Sequence, residues 1–589
     1  MTCMPSHAAL TSCAPADVIA LSSFSKHLDM AINGWPAGAE NGSISDCCHW
    51  PGVRCRRLGS QRDQVRVVGL DLAGRGLTGA ILSSSSLARL DELRVLNLSW
   101  NSLHGALPSE LLRMKRLGVL DLSHNGFTGE LGGDDDASGR RGTIRTLDVS
   151  FNSLSSLHAR VFLGLPSLRR FSAESNLLAG TVPVSLSSCS ELEYVSMANN
   201  SLHGTLDSLN FSRLTRLGAL HLDWNRLSGR LPASLSGCRR LRVVNLRRNN
   251  FSGQVPASFR RLQALSFFDI GDNSVTGIKR ALRALQECRA LAVLILTTNF
   301  RGEELPGADD GIRGFPSMRL LGVANCALTG AVPPWLRASA RLSVLDLSWN
   351  QLSGAAPPWL GGFDELFRID LSGNALTGGI PPSLARLRSL AAGDDAASRV
   401  QLSLSGDYGV RLYNWHVERG QLWYNSYIPP SLDLSRNGLT GAIPPELADL
   451  RALNLLNLSW NSLSGQIPAS LASLGSLQTL DLSNNELAGE IPSSLAGLTF
   501  LSCFDVSFNR LSGAIPDHGQ FSTFPCSSFA GNPGLHGEYC DGLVGAGTQE
   551  NLDGDVASLV HDFWLPFWLG MVAGLLATMY AHLLVLETS

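Results

Sequence analysis

The sequence predicts an α/β solenoid built from short stacked repeats, interrupted once by an insertion and followed by an apolar helix. Three observations predict this architecture. The chain has 589 residues, which is too many for one compact core. A pattern of the form LxLxxN-x-L recurs through most of the chain, usually every 24 residues. Between Asn374 and Asn437 that period fails, because 63 residues stand where 24 are expected.

The repeating asparagine defines the unit. Cys326 takes its place in VANCALTG, and an earlier copy, LDLAGRGLTGAIL, lacks it, which gives 17 units in all. This period and pattern are those of the leucine-rich repeat. Each LxL directs two leucines inward from a short strand, and stacked neighbours bury them in one column. The asparagine amide is expected to satisfy buried backbone groups, a role that Cys326 would fill weakly. The asparagines are at positions 101, 125, 152, 176, 200, 225, 249, 273, 299, 350, 374, 437, 461, 485 and 509.

The residues that alternate with the leucines are polar and predict a binding face without catalytic chemistry. His221 and Asp223 share one strand, but a catalytic triad needs a third partner, so we predict no enzyme. The segment DDDASG opens like a calcium loop, yet Arg145 stands where a bidentate acid is required. The sequence predicts no metal and no cofactor, and a net charge of −3 argues against nucleic acid. The polar pairs include Asp121/Ser123, His221/Asp223, Asn245/Arg247, Asp346/Ser348, Asp370/Ser372, Asp433/Ser435 and Asn457/Ser459.

Cysteines and glycosylation sequons favour the secretory pathway. Cysteines crowd both ends of the chain, where disulfides would staple the caps in an oxidising compartment. The disulfide candidates are Cys13, Cys47, Cys48, Cys55, Cys526 and Cys540. Buried thiols are predicted for the scattered Cys189, Cys238, Cys288, Cys326 and Cys503. Predicted glycosylation sites are Asn41, Asn97, Asn199, Asn210, Asn250 and Asn457. Because MTCMPSHAALTSCAPADVIAL shows no signal peptide, we expect a truncated N-terminus.

The apolar run from Phe563 to Leu586 predicts a transmembrane helix. Its 24 residues would span roughly 36 Å, enough for the hydrocarbon layer of a bilayer. A removed GPI-attachment tail is the alternative, because only three residues follow it. Gly570 and Gly574 form a G-x-x-x-G pattern that would allow close helix packing. The preceding residues 541–562 carry acids and no Lys or Arg, which predicts a solvated linker or a partner-binding segment.

The interruption of the repeat holds the densest cluster of aromatic residues in the chain. Four of the seven tyrosines lie between positions 405 and 430. Period-two alternation on both sides of a turn predicts a small hairpin with one aliphatic face and one basic, aromatic face. Tyr, Trp and Arg form binding hot spots, so we predict a ligand-binding element; alternatively the aromatics only pack the insertion against the repeats. The predicted contacts are Arg411, Tyr413, Trp415, Arg419 and Trp423.

Several segments resemble the phytosulfokine-receptor group of plant leucine-rich-repeat receptors, over roughly residues 13–540. They are CCHWPGVRC, VANCALTGAVPPWL, LWYNSYIPPSLDL and GQFSTFPCSSFAGNPGL. The resemblance implies a plant-type superhelix, with a second strand from segments such as LSGQIP. It also implies an island domain that holds a short extracellular peptide with sulfated tyrosines, together with nearby inner strands. In this chain it supports Leu422, Tyr424 and Asn425 in the island, and Asn325, Asp346, Ser348, Trp349, Asp370 and Ser372 in adjoining strands.

The chain departs from that group in four places. The island lacks the family's FPFF run, and Ser459 replaces the lysine that the family uses towards sulfate. Only Arg399, Arg411, Arg419 or Arg436 could supply that charge. The usual LCG of the C-terminal cap reads Leu535-His536-Gly537, so Cys540 is expected to pair with Cys526 instead. Three residues after the apolar run cannot hold a kinase, which implies a kinase-less receptor-like protein.

The predicted function is therefore a single-pass plasma-membrane receptor-like protein. It would bind an extracellular peptide, with or without sulfated tyrosines, and signal through a co-receptor or adaptor kinase in the same membrane. The alternatives are an immune pattern receptor, an anchored or shed inhibitor of a secreted cell-wall enzyme, and a degenerate receptor gene. The predicted domains are an N-terminal cap (1–66), repeats (67–390), island (391–430), repeats (431–515), C-terminal cap (516–540), acidic juxtamembrane linker (541–562), transmembrane helix (563–586) and tail (587–589).

Overall fold

The computed structural model describes residues 12–36, 46–57, 64–81, 86–132, 142–391 and 428–537. Within these ranges one 19-stranded sheet runs the length of the repeats. The strands Ser12–Cys13 and Val53–Arg57 of this sheet belong to the N-terminal cap. The others are parallel, one for each predicted unit: Gln64–Asp71, Val95–Asn97, Val119–Asp121, Thr146–Asp148, Arg170–Ser172, Tyr194–Ser196, Ala219–His221, Val243–Asn245, Phe267–Asp269, Val293–Ile295, Leu320–Gly322, Val344–Asp346, Arg368–Asp370, Ser431–Asp433, Leu455–Asn457, Thr479–Asp481 and Cys503–Asp505.

Leucine burial explains why these short strands form. In the strand Val344–Asp346, Leu345 is completely buried, and Leu347 just beyond it is 1% exposed. Leu345 lies in register with Ile369 on the next strand, so the apolar side chains stack into one column. Burying one leucine contributes about 1.5–3 kcal/mol, yet a strand of this length offers nothing to bury it against alone. The fold is therefore stabilised through contacts between neighbouring repeats.

A second set of strands follows the first, as the resemblance implied. It forms a 9-stranded and a 7-stranded sheet in the described ranges, separated by two repeats that lack it. The first sheet contains Thr78–Ala80, Ser102–Ala106, Gly126–Leu131, Ser153–Leu157, Ala179–Gly180, Ser201–Thr205, Arg226–Arg230, Asn250–Gln254 and Ser274–Thr276. The second contains Ser353–Ala355, Ala375–Gly378, Gly438–Gly441, Ser462–Gly465, Glu486–Gly489, Arg510–Ala514 and Gly534–His536.

Helical turns return the chain from the second strand to the next repeat. Many begin directly after a proline or at one, because proline is preorganised for the first helical position. The α-helices are Pro15–Lys26, Ser109–Leu112, Ile278–Leu285 and Arg388–Ala391. The 3₁₀ turns are Cys47–His49, Ser86–Arg89, Val161–Gly164, Val184–Ser188, Phe211–Arg213, Ala233–Gly237, Ala257–Arg261, Ala308–Asp310, Pro334–Ala338, Pro358–Gly362, Pro382–Arg386, Pro445–Asp449, Ala469–Ser473, Ser493–Gly497, Gly519–Thr523 and Cys526–Phe529.

The repeated asparagines form a ladder that satisfies buried backbone groups between repeats. Asn350 Nδ2 donates to the carbonyls of Val323 (2.7 Å) and Leu347 (2.9 Å), while its Oδ1 accepts from the amides of Cys326 (3.1 Å) and Leu328 (3.0 Å). Such groups would otherwise be desolvated without a partner. Sequence reasoning missed the last member, Asn532, whose Nδ2 donates to Val506 O at 2.9 Å.

Cys326 interrupts this ladder. Its thiol lies 3.2 Å from the carbonyl oxygen of Ala324 and 3.8 Å from that of Leu296. A thiol is a weak donor at these distances, whereas the asparagine amide of other repeats donates at about 3 Å. Burial raises the pKa of the Cys326 thiol to about 11, so the sulfur stays protonated.

The N-terminal cap is tied to the first repeat by a buried ion pair and disulfides. Asp17 is fully buried and accepts from Arg66 Nε (3.0 Å), Arg66 Nη2 (2.9 Å) and Val67 N (2.8 Å). In the structure Cys13 is bonded to Cys47 and Cys48 to Cys55. Cys526 is also disulfide-bonded, whereas Cys540 lies outside the described residues.

Four of the five scattered cysteines, from Cys189 to Cys326, are buried, and the prediction is wrong for Cys503. Cys503 is exposed because it begins the strand Cys503–Asp505 at a position that points away from the leucine column. Within the described ranges no helix combines the length and the apolar character needed to cross a membrane. The predicted span Phe563–Leu586, with Gly570 and Gly574, lies outside those ranges, as do the acidic linker and Asn41.

Candidate ligand-binding surface

The solenoid continues without a break around the insertion. The described chain stops at residue 391 and resumes at residue 428, yet Asp370 and Asp433 are register partners on adjacent strands. Leu376 N donates to Asn437 Oδ1 at 3.0 Å, so the asparagine ladder also continues across the gap. The repeats on the two sides of the insertion therefore contact each other directly.

The predicted ligand contacts divide into two groups. Those on described strands are Asn325, Asp346, Ser348, Trp349, Asp370 and Ser372, and they lie on three successive repeats. Those in the insertion lie outside the described residues: Arg411, Tyr413, Trp415, Arg419, Leu422, Trp423, Tyr424 and Asn425. The structure thus brings the first group together and leaves the second group as predictions.

In two of these three repeats, the outward aspartate and the serine two residues later hydrogen-bond to each other. Asp346 Oδ1 accepts from Ser348 Oγ (2.7 Å) and Ser348 N (3.0 Å). The same pair recurs with Ser372 Oγ at 2.7 Å from Asp370 Oδ1. Much of the hydrogen-bonding capacity of these polar side chains is therefore already used within each Asp-x-Ser pair. Strands with this pairing begin at Val119, Thr146, Val344, Arg368, Ser431 and Thr479.

Three of these aspartates form a row of carboxylates beside a single buried cation. Asp346, Asp370 and Asp433 are register neighbours, and Arg368 Nη2 lies 3.9 Å from Asp370 Oδ2. Burial raises the pKa of both Asp346 and Asp433, and the charge of Asp370 raises each of them further. The row is therefore acidic, with one guanidinium set against three carboxyl groups.

An aromatic and cationic cluster lies at the rim of these strands. The guanidinium of Arg436 stands between two indoles, 5.8 Å from the ring centroid of Trp349 and 4.9 Å from that of Trp460. Trp349 is 41% exposed and Trp460 51% exposed. Both distances fall in the range of cation–π attraction. Arg436 forms no ion pair with any carboxylate that the structure describes, so its charge is offset only by the rings.

This rim cluster depends on an unusual backbone conformation. Trp349, Arg436 and Trp460 each precede a ladder asparagine or its equivalent and have φ values of 54°, 53° and 54°. Bulky residues rarely adopt the left-handed region, at a cost of about 1–2 kcal/mol each. Gly373 occupies the same slot in the intervening repeat, and a Cβ there would come within 3.0 Å of the Trp349 ring. Glycine at this position therefore leaves room for the Trp349 indole.

Sequence reasoning missed this rim as a continuous feature. The slot before the ladder asparagine is left-handed in repeat after repeat, including Asn325 at φ 52°. Near the N-terminal end it carries a second stack, in which the His124 ring lies 3.7 Å from Trp100 and 4.2 Å from Phe151, centroid to centroid. The only available signal was position, because the residue type in the slot varies.

The central strands Ala219–His221, Val243–Asn245 and Phe267–Asp269 lack the Asp-x-Ser pairing. On three neighbouring central strands, the position of the paired aspartate is taken by His221, Asn245 and Asp269, which are register partners. Burial lowers the pKa of His221 to about 4, so the imidazole is neutral at pH 7. Among the described residues nothing hydrogen-bonds its Nε2. The indole nitrogen of Trp224 is likewise buried without a hydrogen-bond partner in the described ranges.

The neighbouring row places Asp223 beside Arg247. Arg247 Nη2 lies 3.2 Å from Asp272 Oδ2, and the guanidinium of Arg248 lies 3.9 Å from the Trp224 ring centroid. Burial raises the pKa of Asp223 to about 7 and that of Asp269 to about 6. In the described structure no hydroxyl or thiol hydrogen-bonds His221, so this cluster contains no triad geometry.

The sequons differ in how their side chains are engaged. Asn199, Asn210 and Asn250 are exposed. Asn97 and Asn457 instead take the place of the paired aspartate, accepting from Ser99 Oγ at 2.8 Å and Ser459 Oγ at 2.7 Å. Glycosylation of all six remains a prediction.

These observations describe a solenoid of stacked leucine-rich repeats. Two family models, both described as leucine rich repeat, match it. One covers residues 142–202 and the other covers 92–114, 240–262, 341–363, 365–387, 431–450, 452–474 and 476–498. The chain is homologous to the plant phytosulfokine receptors and receptor-like proteins, as the resemblance in its sequence indicated.

Two curated relatives from Arabidopsis thaliana show the extent of that homology. Phytosulfokine receptor 1 is 37% identical over 57% of this chain and 42% of its own length. Receptor-like protein 3 is 43% identical over 33% of this chain and 26% of its own length. The matched stretches thus span less than half the length of either relative.

A solved structure supports the same class. It is the leucine-rich-repeat ectodomain of the Arabidopsis thaliana membrane receptor kinase GASSHO1/SCHENGEN3 in complex with CASPARIAN STRIP INTEGRITY FACTOR 2. That ectodomain is 26% identical, with a TM-score of 0.50, over 78% of this chain and 57% of its own. Homology to receptor ectodomains and receptor-like proteins supports a receptor-like role.

Proposed function

We propose that the chain is a cell-surface receptor-like protein that binds an extracellular peptide beside the insertion. One observation carries this proposal. The solenoid is unbroken across the insertion, and the repeats that flank the insertion carry the exposed Trp349–Arg436–Trp460 cluster. Exposed Trp and Arg side chains are the residue types that dominate binding energy at interfaces. The relatives named above, receptors and receptor-like proteins, support the same conclusion.

The peptide would lie along the concave strands Leu320–Gly322 to Ser431–Asp433 and contact residues 391–430. A peptide strand could pair with the insertion, which would supply affinity through its backbone while nearby side chains supply specificity. The Asp-x-Ser strands would position the peptide more than grip it, since their polar groups are already paired. Arg436 would attract an acidic or sulfated side chain.

Signalling would pass to a co-receptor or adaptor kinase in the same plasma membrane. The predicted helix Phe563–Leu586 would anchor the chain there with its repeats outside the cell. Gly570 and Gly574 would let a partner helix approach closely. These steps rest on the sequence, because this segment lies outside the described residues.

Peptide binding can be tested by screening the purified full-length chain against sulfated and unsulfated peptides. In the variant Trp349→Ala/Arg436→Ala, we expect at least about tenfold weaker binding of any peptide found, because hot-spot side chains contribute above about 1.4 kcal/mol. An Arg411→Ala/Trp415→Ala/Trp423→Ala variant should lose binding as well. The control is Trp100→Ala, another exposed rim tryptophan, which lies far from the insertion along the chain. Equal loss in the control, or wild-type affinity in both test variants, would exclude this site.

A further inference from the structure

The helical side of the solenoid contains a groove lined almost entirely by arginine. It has a volume of about 870 Å³ and is lined by Arg239, Arg260, Arg261, Gln263, Arg283, Glu287 and Arg289. The lining residues come from three successive repeats, at the turn Ala257–Arg261, the helix Ile278–Leu285 and the segments that follow such turns. The groove is separate from the concave residues predicted to contact the peptide.

The positive charge of this groove is largely uncompensated. Its one carboxylate, Glu287, is already ion-paired with Arg313. Arg239, Arg260, Arg261 and Arg289 form no ion pair with any carboxylate in the described part of the chain. Arg283 Nε donates only to the backbone oxygen of Asp310, at 2.9 Å. Five guanidinium groups therefore gather around one cavity in a chain whose net charge is −3.

Such a cluster has no role in folding that the structure shows. Like charges repel, and exposed side chains add little to a core. The arginines therefore stabilise none of the three repeats. The groove wall is nevertheless fixed, because Gln263 Nε2 donates to the carbonyls of Arg260 (2.7 Å) and Glu287 (2.9 Å), which joins two repeats. A rigid recess with unpaired guanidinium groups suits carboxylate or sulfate ligands, which arginine binds through two parallel hydrogen bonds.

We propose that this groove binds an anionic oligosaccharide, a chain of sugars that carry carboxylate or sulfate groups. An extended polymer can cross three repeats and meet several arginines at once. The lining residues include no aromatic ring on which nucleic-acid bases would stack. They include no apolar side chain to enter a bilayer, and a recess is hard for a flat membrane to reach. The extracellular location of such a polymer rests on the proposed function, whereas the binding chemistry does not.

The test uses the full-length chain and a decamer of galacturonic acid as the probe. We expect saturable binding of this probe, weakened by added salt because ionic contacts are screened. The variant Arg260→Gln/Arg261→Gln should bind at least about tenfold more weakly, a loss of about 1.4 kcal/mol. The control variant Arg388→Gln/Arg510→Gln removes the same charge from two exposed arginines that are ion-paired elsewhere, to Asp364 and Glu486. It should bind the probe like the wild type.

Further arms distinguish other ligands. Uncharged dextran should not bind, and vesicles of phosphatidylserine and phosphatidylcholine should bind no more tightly to the wild type than to Arg260→Gln/Arg261→Gln. The proposal is overturned if both double variants weaken galacturonate binding equally, if neither does, or if only vesicle binding depends on the groove. Peptide binding measured in parallel should be unchanged in Arg260→Gln/Arg261→Gln, so failure here is distinguishable from failure of the receptor function.

Discussion

In the strand Arg368–Asp370 the outward aspartate accepts a hydrogen bond from the serine two residues later. In the strand Ala219–His221 the equivalent histidine has a buried nitrogen with no hydrogen-bond partner among the described residues. Both strands have the same length and the same parallel pairing. The difference lies only in the residues that alternate with the leucines. It shows that one backbone supports a chemically closed surface near the insertion and an unsatisfied one at the centre.

The largest effect is expected at Asn350, one repeat before the strand Arg368–Asp370. Replacing Asn350 by Ala removes hydrogen bonds from five backbone groups, including the amides of Cys326 and Leu328. Each unsatisfied buried group costs about 1–3 kcal/mol, so we expect local destabilisation of at least about 3 kcal/mol. Hydrogen exchange of the strands Leu320–Gly322 and Val344–Asp346 would measure it.

The control for this change is Asn484→Ala, at the rim one residue before a ladder asparagine. Asn484 has φ 54°, so alanine there adds about 1 kcal/mol of backbone strain and removes no ladder bond. Similar exchange rates in the two variants would mean that the ladder hydrogen bonds do not stabilise the neighbouring repeats.

An intermediate effect is expected from the titration of Asp223 on the central strands. Burial raises the pKa of Asp223 to about 7 from 3.8, so its protonated form favours the folded state. The stability that it contributes is complete below pH 4 and is lost as pH rises towards 7. Asp223→Asn should remove that loss, on the order of a few kcal/mol locally, and raise the melting temperature at pH 8 more than at pH 4.

His221 provides the opposite sign on the same strand. Burial lowers its pKa from 6.5 to about 4, so its neutral form favours the folded state and stability is lost as pH falls through that window. His221→Gln should therefore protect the protein at pH 4 and change little at pH 8. If both variants shift the melting curve in the same direction with pH, the burial of these groups is not what controls stability.

The smallest effect is expected at a closed pair beside the insertion. Ser372→Ala removes one hydrogen bond of 2.7 Å to Asp370 Oδ1, and the amide of Ser372 still donates to the same oxygen at 3.1 Å. We expect a loss of about 1 kcal/mol in stability and less than about a threefold change in peptide affinity. A much larger loss of affinity would show that the closed pair opens to receive the ligand.

The architecture could be predicted from the sequence because the regular spacing of the leucines reveals the repeat period. All the predicted units have a strand, and the second sheets appear where the resemblance implied them. Asn532 was missed since no LxL precedes it, although its hydrogen bonds repeat those of the ladder. Cys503 was misplaced because a lone cysteine gives no indication of whether it points inward.

The site was predictable only in outline. Alternation placed Asp346 and Ser348 on the concave face, but it could not reveal that they bond to each other. The rim cluster needs residues from three repeats with Gly373 between them, a relation that no single repeat shows. Long-range pairings of this kind depend on strand register, which the period fixes only after the fold is known.

The left-handed slot before the ladder asparagine has one more consequence. In different repeats it holds tryptophan, histidine, phenylalanine, arginine, aspartate, threonine, serine, asparagine or glycine, while the leucine column remains the same. Its occupants are therefore interchangeable as far as the coil is concerned. A single substitution there changes an exposed side chain at the rim without disturbing the leucine column. Proteins that share this scaffold can therefore diversify their partners one repeat at a time.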